Sequence, residues 1–230
     1  MQADGADAND ETPEDETPDD KPAGLASLSS GSTDSAAVEA HYDGWAKSYD
    51  GDLEAWLYQT PEEAAAALAP HLTEADTVLD IGCGTGLLGR ALARHMSCRI
   101  EGLDISAKSL AAAAKPGVYS MFYRHDLQKL PLPFADDAFA AAAMVGVLTY
   151  IEEPQALLEE VCRIVKPGGH LLFTQRDDRW QAFEFDRLMV EFDKRGLWTA
   201  LGMSEPRPYL PRNAEFADSI KVIHVLCRIS

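Results

Sequence analysis

Val78-Leu79-Asp80-Ile81-Gly82-Cys83-Gly84-Thr85-Gly86 constrains the fold of this chain more than any other segment. An apolar run ends in a carboxylate and passes directly into three glycines at alternate positions. The first half reads as a parallel strand buried on both faces. The second half is a turn stripped of Cβ atoms, which lets a ligand approach the backbone N–H groups and the N-terminus of the next helix. The segment predicts a nucleotide-type cofactor cradle, and the chemical question is which cofactor it takes.

Around this run, strand and helix patterns alternate. Thr77–Ile81, Arg99–Asp104, Ser120–His125, Phe139–Val145 and His170–Thr174 read as strands. Leu87–Met96, Ser106–Ala114 and Pro154–Val165 read as the helices between them. Glu39–Asp50 and Pro61–Leu72 predict two earlier helices, the second signalled by Pro61 at its first position and two glutamates in its first turn. Lys166-Pro167-Gly168-Gly169 reads as a helix stop, and Trp180–Arg195 as one longer helix. Leu201–Tyr209 and Ile220–Arg228 form a terminal strand pair with no helix between them. Alternation implies right-handed crossovers and a parallel sheet covered on both faces. The predicted fold is α/β, a doubly wound Rossmann-like, mostly parallel sheet with a C-terminal antiparallel strand and an N-terminal helical lid. The corresponding segments are an acidic tail over residues 1–34, a lid over 35–75 and the main domain over 76–230.

Composition narrows the partners. The tail holds ten acidic residues against one lysine and few large apolar side chains, a composition that predicts disorder. It accounts for half of the net charge of −18, so the body is acidic too. Nucleic-acid binding needs clustered Lys and Arg, so neither nucleic acid nor an anionic membrane is an expected partner. The first residues lack the basic and apolar regions of a signal peptide, and the longest apolar run, Phe139–Leu148, is half a membrane span. A cytoplasmic protein is expected. Cys83, Cys98, Cys162 and Cys227 lack CxxC spacing and the six histidines form no ligand pair, so free thiols and no metal site are expected.

Gly84-Thr85-Gly86-Leu87-Leu88-Gly89 also satisfies the G-x-G-x-x-G fingerprint of dinucleotide-binding folds, and Asp104 lies twenty residues beyond Gly84 at the end of the second strand. A carboxylate there can accept both hydroxyls of a ribose in either case. Asp80 separates the two readings. It stands directly before the glycines, where it can receive the α-ammonium of an amino-acid group, directly or through water. S-adenosylmethionine carries that ammonium; a dinucleotide does not, and its diphosphate is disfavoured beside a fixed negative charge. The competing reading of Asp80 is a helix cap or turn former.

The segment from Val78 to Asp178 resembles class I S-adenosylmethionine-dependent methyltransferases of the methyltransferase-11 type. Val78–Gly86 is similar to the first motif of that superfamily and Glu101–Ser106 to the second. His125-Asp126-Leu127 resembles the element after strand three, while Leu130–Phe134 with Asp136-Asp137 and Val165–His170 resemble two further elements. Phe139 is followed by Ala140 where the family often has an aspartate. The resemblance implies cofactor contacts from Asp80, Gly82, Cys83, Gly84, Gly86, Asp104 and Ile105. It also implies Asp126 for the adenine amino group, Leu127 for the ring, and Val145. Tyr42-Asp43-Gly44-Trp45-Ala46-Lys47-Ser48-Tyr49-Asp50, with Gly196-Leu197-Trp198, looks most like the methyltransferase-like proteins named after the Williams–Beuren deletion region. That likeness implies that Tyr42, Trp45 and Tyr49 close over the methionine end of S-adenosyl-L-methionine. The alternative is that Trp45 and Tyr49, on one helix face, simply anchor the helix.

Methyl transfer from a sulfonium is an in-line displacement for which the protein must position the nucleophile, exclude water and, where needed, take a proton. His125, Tyr150 and Arg176 are the candidates for proton or substrate handling, Arg176 suggesting a carboxylate substrate if it faces the pocket; the competing readings are a structural histidine, a packing tyrosine and an arginine paired with Asp177, Asp178 or solvent. No Asn-Pro-Pro-Tyr-like element and no Pro-Cys follow strand four, which disfavours adenine, glutamine and cytosine chemistry. A small-molecule methyl acceptor is expected. An NAD(P)-dependent oxidoreductase using Gly84–Gly89, and a non-catalytic cofactor-binding protein, are the alternatives.

Overall fold

The computed structural model describes residues 32–217 and 219–230, so the acidic tail expected over 1–34 falls almost wholly outside the described residues. Three helices come first: α1 (Ser35–Trp45), α2 (Tyr49–Ala55) and α3 (Thr60–Leu68), the last continued by a 3-10 turn over Ala69–His71. The sheet and its crossovers follow as β1 (Thr77–Ile81), α4 (Leu87–His95), β2 (Arg99–Asp104), α5 (Ala107–Ala113), β3 (Met121–Arg124) and β4 (Phe139–Met144). A 3-10 turn over Leu148–Tyr150 leads to α6 (Pro154–Ile164), β5 (Val165–Arg176), α7 (Asp177–Ala182) and α8 (Phe185–Lys194). The chain ends in β6 (Trp198–Met203), β7 (Arg207–Pro208) and β8 (Lys221–Ile229).

The strand order is β3-β2-β1-β4-β5-β8-β6, with β7 pairing off β8. β1 to β5 are parallel, and β8 runs antiparallel to both β5 and β6. The expected terminal pair therefore exists, but its last strand inserts between β5 and β6 rather than hanging on the edge. The order reverses at β1, which puts a crevice beyond the carboxyl ends of β1, β2 and β4, where open α/β sheets bind ligands. One face of the sheet is closed by Leu157, Val161, Leu188 and Phe192 from α6 and α8, all buried. The other is closed by Ala64, Leu68, Leu88 and Leu92 from α3 and α4. The four consecutive alanines of β4 leave room for both layers.

Three boundaries differ from the sequence reading, each for a local reason. The single helix expected over Glu39–Asp50 is two, because the chain turns after Trp45, whose ring packs edge-on to Tyr49 at 4.6 Å and whose Nε1 donates to Asp52 at 2.6 Å. The helix expected over Trp180–Arg195 breaks at Glu184, which takes a left-handed conformation (φ 49°). Lys166–Gly169 belongs to β5 instead of a turn, with a register shift opposite Ala140; a Cβ on Gly169 would press on the Ala140 carbonyl at 2.5 Å. The Leu130–Asp137 loop owes its form to α6: Arg163 donates to the carbonyls of Leu132 (3.3 Å) and Phe134 (2.9 Å), and Glu160 accepts from the Leu132 amide at 3.0 Å.

Candidate active site

The glycine turn sits at the head of β1. Gly82, Gly84 and Gly86 have φ of 67°, 53° and 87°, a region that only glycine enters without strain. The space above Gly84 is open, with nothing within 4 Å of where a Cβ would stand. Its amide donates to Asp104 Oδ2 at 2.8 Å, and the Ser106 amide donates to Asp104 Oδ1 at 2.8 Å. The Asp104 carboxylate is thereby aimed before any ligand arrives, and each oxygen keeps a lone pair. Burial raises its pKa, opposed by these backbone hydrogen bonds.

A cleft enclosing about 660 Å³ of atom-free space, part of it open to solvent, runs from this turn across the ends of β2, β3 and β4. Gly82, Gly84, Asp104, Ile105, Asp126, Leu127 and Val145 line it from the sheet. Tyr42 and Tyr49 close it from the N-terminal helices, with Ser35 and Val38 of α1. Asp126 Oδ1 accepts from Ser35 Oγ at 2.9 Å and from the Gln128 amide at 3.0 Å. A second hollow of about 320 Å³ adjoins it, sharing Tyr49, Gly82, Gly84 and Val145, and is floored by Asp80, Cys83 and Thr85. Asp80 is 2 % exposed and accepts from the Tyr119 hydroxyl at 2.6 Å. Burial pushes its pKa up to about 7, Tyr119 pulling the other way.

The methyltransferase domain family of the methyltransferase-11 type matches residues 79–173. Methyltransferase-like protein 27 of Homo sapiens is 31% identical over 166 residues, 70% of this chain and 67% of that protein. The chain belongs to the S-adenosylmethionine-dependent methyltransferases. A ubiquinone biosynthesis O-methyltransferase of Cronobacter sakazakii is 30% identical over 42% of the chain and 41% of its own length. A solved complex between the Haloferax volcanii Trm112 methyltransferase activator and a methyltransferase shares the fold, with TM-score 0.64 and 22% identity over 84% of this chain and 97% of that one. So does a Thermotoga maritima structure described as a possible histamine N-methyltransferase, with TM-score 0.60 and 18% identity over 82% and 98%.

The methyltransferase's two hollows present an open glycine backbone, a half-buried carboxylate at the end of β2 and an acidic floor next to them. Two of the residues expected to touch the cofactor stand elsewhere. Trp45 lines neither hollow; it is 3 % exposed and packs with Leu53, Leu210 and Phe216. Gly86 lines neither and caps α4. Cys83 lines the smaller hollow alone, its thiol pushed up by burial.

Of the three candidates for chemistry, Tyr150 stands in the wall of the larger cleft. His125 does not: its Nε2 donates to the Lys129 carbonyl at 2.7 Å, closing the turn after β3. Arg176 does not either, and a carboxylate substrate loses its proposed partner. Its buried guanidinium binds Asp178 through Nε (3.0 Å) and Nη2 (2.7 Å), as a buried charge requires. The sequence reading missed Ser35, Gln128, Val147 and Ile151 in the cleft, and Tyr58 in the hollow. Gln128 had a signal, lying two residues beyond Asp126. Ser35 and Tyr58 had none, because their place depends on how α1 and α3 fold back over the sheet.

Burial holds the pKa of Tyr42, Tyr49 and Tyr58 well above the ordinary phenol value. These hydroxyls are neutral hydrogen-bonding groups at physiological pH. Among the described residues no group of three or more His, Cys, Asp or Glu could hold a metal ion, and no helix is long and apolar enough to cross a membrane.

Proposed function

We propose that Asp104 receives the cofactor ribose, Asp126 and the Leu127 amide the adenine, and Asp80 the amino-acid ammonium, and that a small molecule accepts the methyl group between Tyr42, Tyr150 and Val147. When bound, S-adenosylmethionine supplies a methyl group already activated by its sulfonium. The protein's share is orientation and dryness: α1 lies across the cleft, and Tyr42 meets Tyr150 edge-on at 5.8 Å above its floor. The carrying observation is the shared wall of the two hollows at Gly82, Gly84 and Val145, which puts an acidic pocket for an ammonium beside an aromatic chamber.

The chamber also bears on the acceptor. With Asp104 and Asp126 given to the cofactor, the rest of its wall offers neutral phenols, hydroxyls and the Gln128 amide and, among the described residues, no Lys, Arg or His. That favours an uncharged or cationic acceptor with an apolar or aromatic body, in keeping with relatives named for ubiquinone, demethylmenaquinone and phytyl-hydroquinone methylation.

A thermal-shift comparison tests the cofactor. S-adenosylhomocysteine at a hundred times its dissociation constant adds about 2.7 kcal/mol of stability, whereas NAD adds none. Stabilisation by NAD alone returns the chain to the oxidoreductase reading. Transfer of tritium from labelled cofactor into a small-molecule extract tests turnover; binding without transfer to any fraction leaves a non-catalytic cofactor protein.

A further inference from the structure

The third glycine of the fingerprint, Gly89, lines neither hollow and faces the Tyr119 side chain. A Cβ on it would overlap the ring and hydroxyl of Tyr119, and one on Gly86 would lie 2.9 Å from the same ring. The two glycines form a slot on α4 and the turn before it, and the Tyr119 phenol fills that slot, its ring also packed 5.0 Å from Phe122. At the bottom of the slot the hydroxyl accepts from the Gly89 amide at 3.1 Å and donates to Asp80 Oδ2 at 2.6 Å. Tyr119 lines neither hollow, whereas Asp80 floors the smaller one.

We infer that Tyr119 is a positioning residue that holds the Asp80 carboxylate oriented and ionised to receive the cofactor's ammonium. The inference rests on the reading of Asp80 given above. An acid at 2 % exposure has few ways to stay charged. The groups facing it are the Tyr119 hydroxyl from the segment between α5 and β3, the Asp104 carboxylate from β2, the Cys83 thiol from the glycine turn, and the Gly89 amide from α4. Asp104 disfavours ionisation of Asp80, and Tyr119 and the Gly89 amide favour it. With Oδ2 taken by the phenol, Oδ1 is the oxygen left for a ligand. The fingerprint thus serves to admit an aromatic ring instead of a diphosphate.

The test follows binding against pH for two ligands: S-adenosylhomocysteine, which carries the ammonium, and 5′-methylthioadenosine, which has no amino-acid part. In the parent, S-adenosylhomocysteine affinity rises with pH as Asp80 ionises and falls again at higher pH as the ligand's own α-ammonium loses its proton. Tyr119→Phe moves the rising limb up by about one pH unit and weakens S-adenosylhomocysteine about tenfold at pH 7, while 5′-methylthioadenosine binds both proteins alike. Gly89→Ala, which evicts the phenol from its slot, gives the same displacement. An unmoved rising limb in either folded variant, or an equal loss for both ligands, overturns the inference. A parent that binds neither ligand overturns the cofactor assignment itself, and this inference with it.

Discussion

The amide of Gly84 donates to Asp104 Oδ2 at 2.8 Å, so one hydrogen bond ties the turn after β1 to the tip of β2. The cradle is held in shape by the same carboxylate that is proposed to grip the ribose. Asp104→Ala therefore removes ligand bonds and loosens the turn. S-adenosylhomocysteine affinity should fall by about 1–3 kcal/mol, roughly 5- to 150-fold. Calorimetric titration measures this, and an unchanged affinity would show that Asp104 does not hold the ribose.

Asp80 carries a stability cost when no ligand is bound. An unfolded aspartate ionises near pH 3.9, while burial raises Asp80 in the fold to about 7. The native state keeps a proton that the unfolded chain releases, so the stabilisation is complete below about pH 4 and is lost as pH rises through 7. Asp80→Asn removes that slope. Ligand-free, it should melt close to the parent at pH 4 and above it at pH 8, by at most about 4 kcal/mol. Parallel melting curves at the two pH values would reject this.

Asp43 fastens α1 to the sheet side of the cleft. Its Oδ1 accepts from Ser106 Oγ at 2.6 Å and from the Lys108 amide at 3.3 Å, pinning α1 to the start of α5. Asp43→Ala should speed amide exchange across Ser35–Trp45 and weaken S-adenosylhomocysteine several-fold, with global stability changed by about 1 kcal/mol or less. Unaltered exchange would mean that the aromatic contacts of Tyr42 hold α1 without help.

Arg163 is the opposite case, structural and remote from the cleft. It binds Glu160 and Asp136 as well as the two loop carbonyls. Arg163→Ala should lower unfolding free energy by about 1–3 kcal/mol and leave ligand affinity within twofold. Denaturant titration beside a binding isotherm checks both, and a large loss of affinity at intact stability would contradict the assignment.

Much of the fold was legible because it rests on short-range rules. Val78–Gly86 announces a buried strand and a left-handed turn, and the alternation after it leaves few topologies. What escaped depends on contacts between distant segments. Ala46-Lys47-Ser48 is compatible with a helix, and only the packing of Trp45 on Tyr49 and Asp52 breaks it there. Glu184 gives no local sign of a positive φ. Asp80 stands out as an acid just before the glycines, and Asp104 by its spacing of twenty residues from Gly84 at a strand end. Tyr119 did not, since its partner Gly89 lies thirty residues away and had already been read as a phosphate-loop glycine. For Arg176 the sequence leaves two places open, the pocket or a pair with Asp177 or Asp178, and the fold takes the pair with Asp178.

The hydrogen bond from Ser35 to Asp126 joins the first turn of α1 to the carboxylate proposed for adenine. Under that proposal adenine and the helix draw on a single acceptor, and a ligand that engages Asp126 also resets how firmly the amino-terminal helix is seated. Cofactor affinity is then expected to depend on α1 as much as on the sheet. Sequence changes in α1, far in the chain from every glycine of the cradle, can tune how long the cofactor stays.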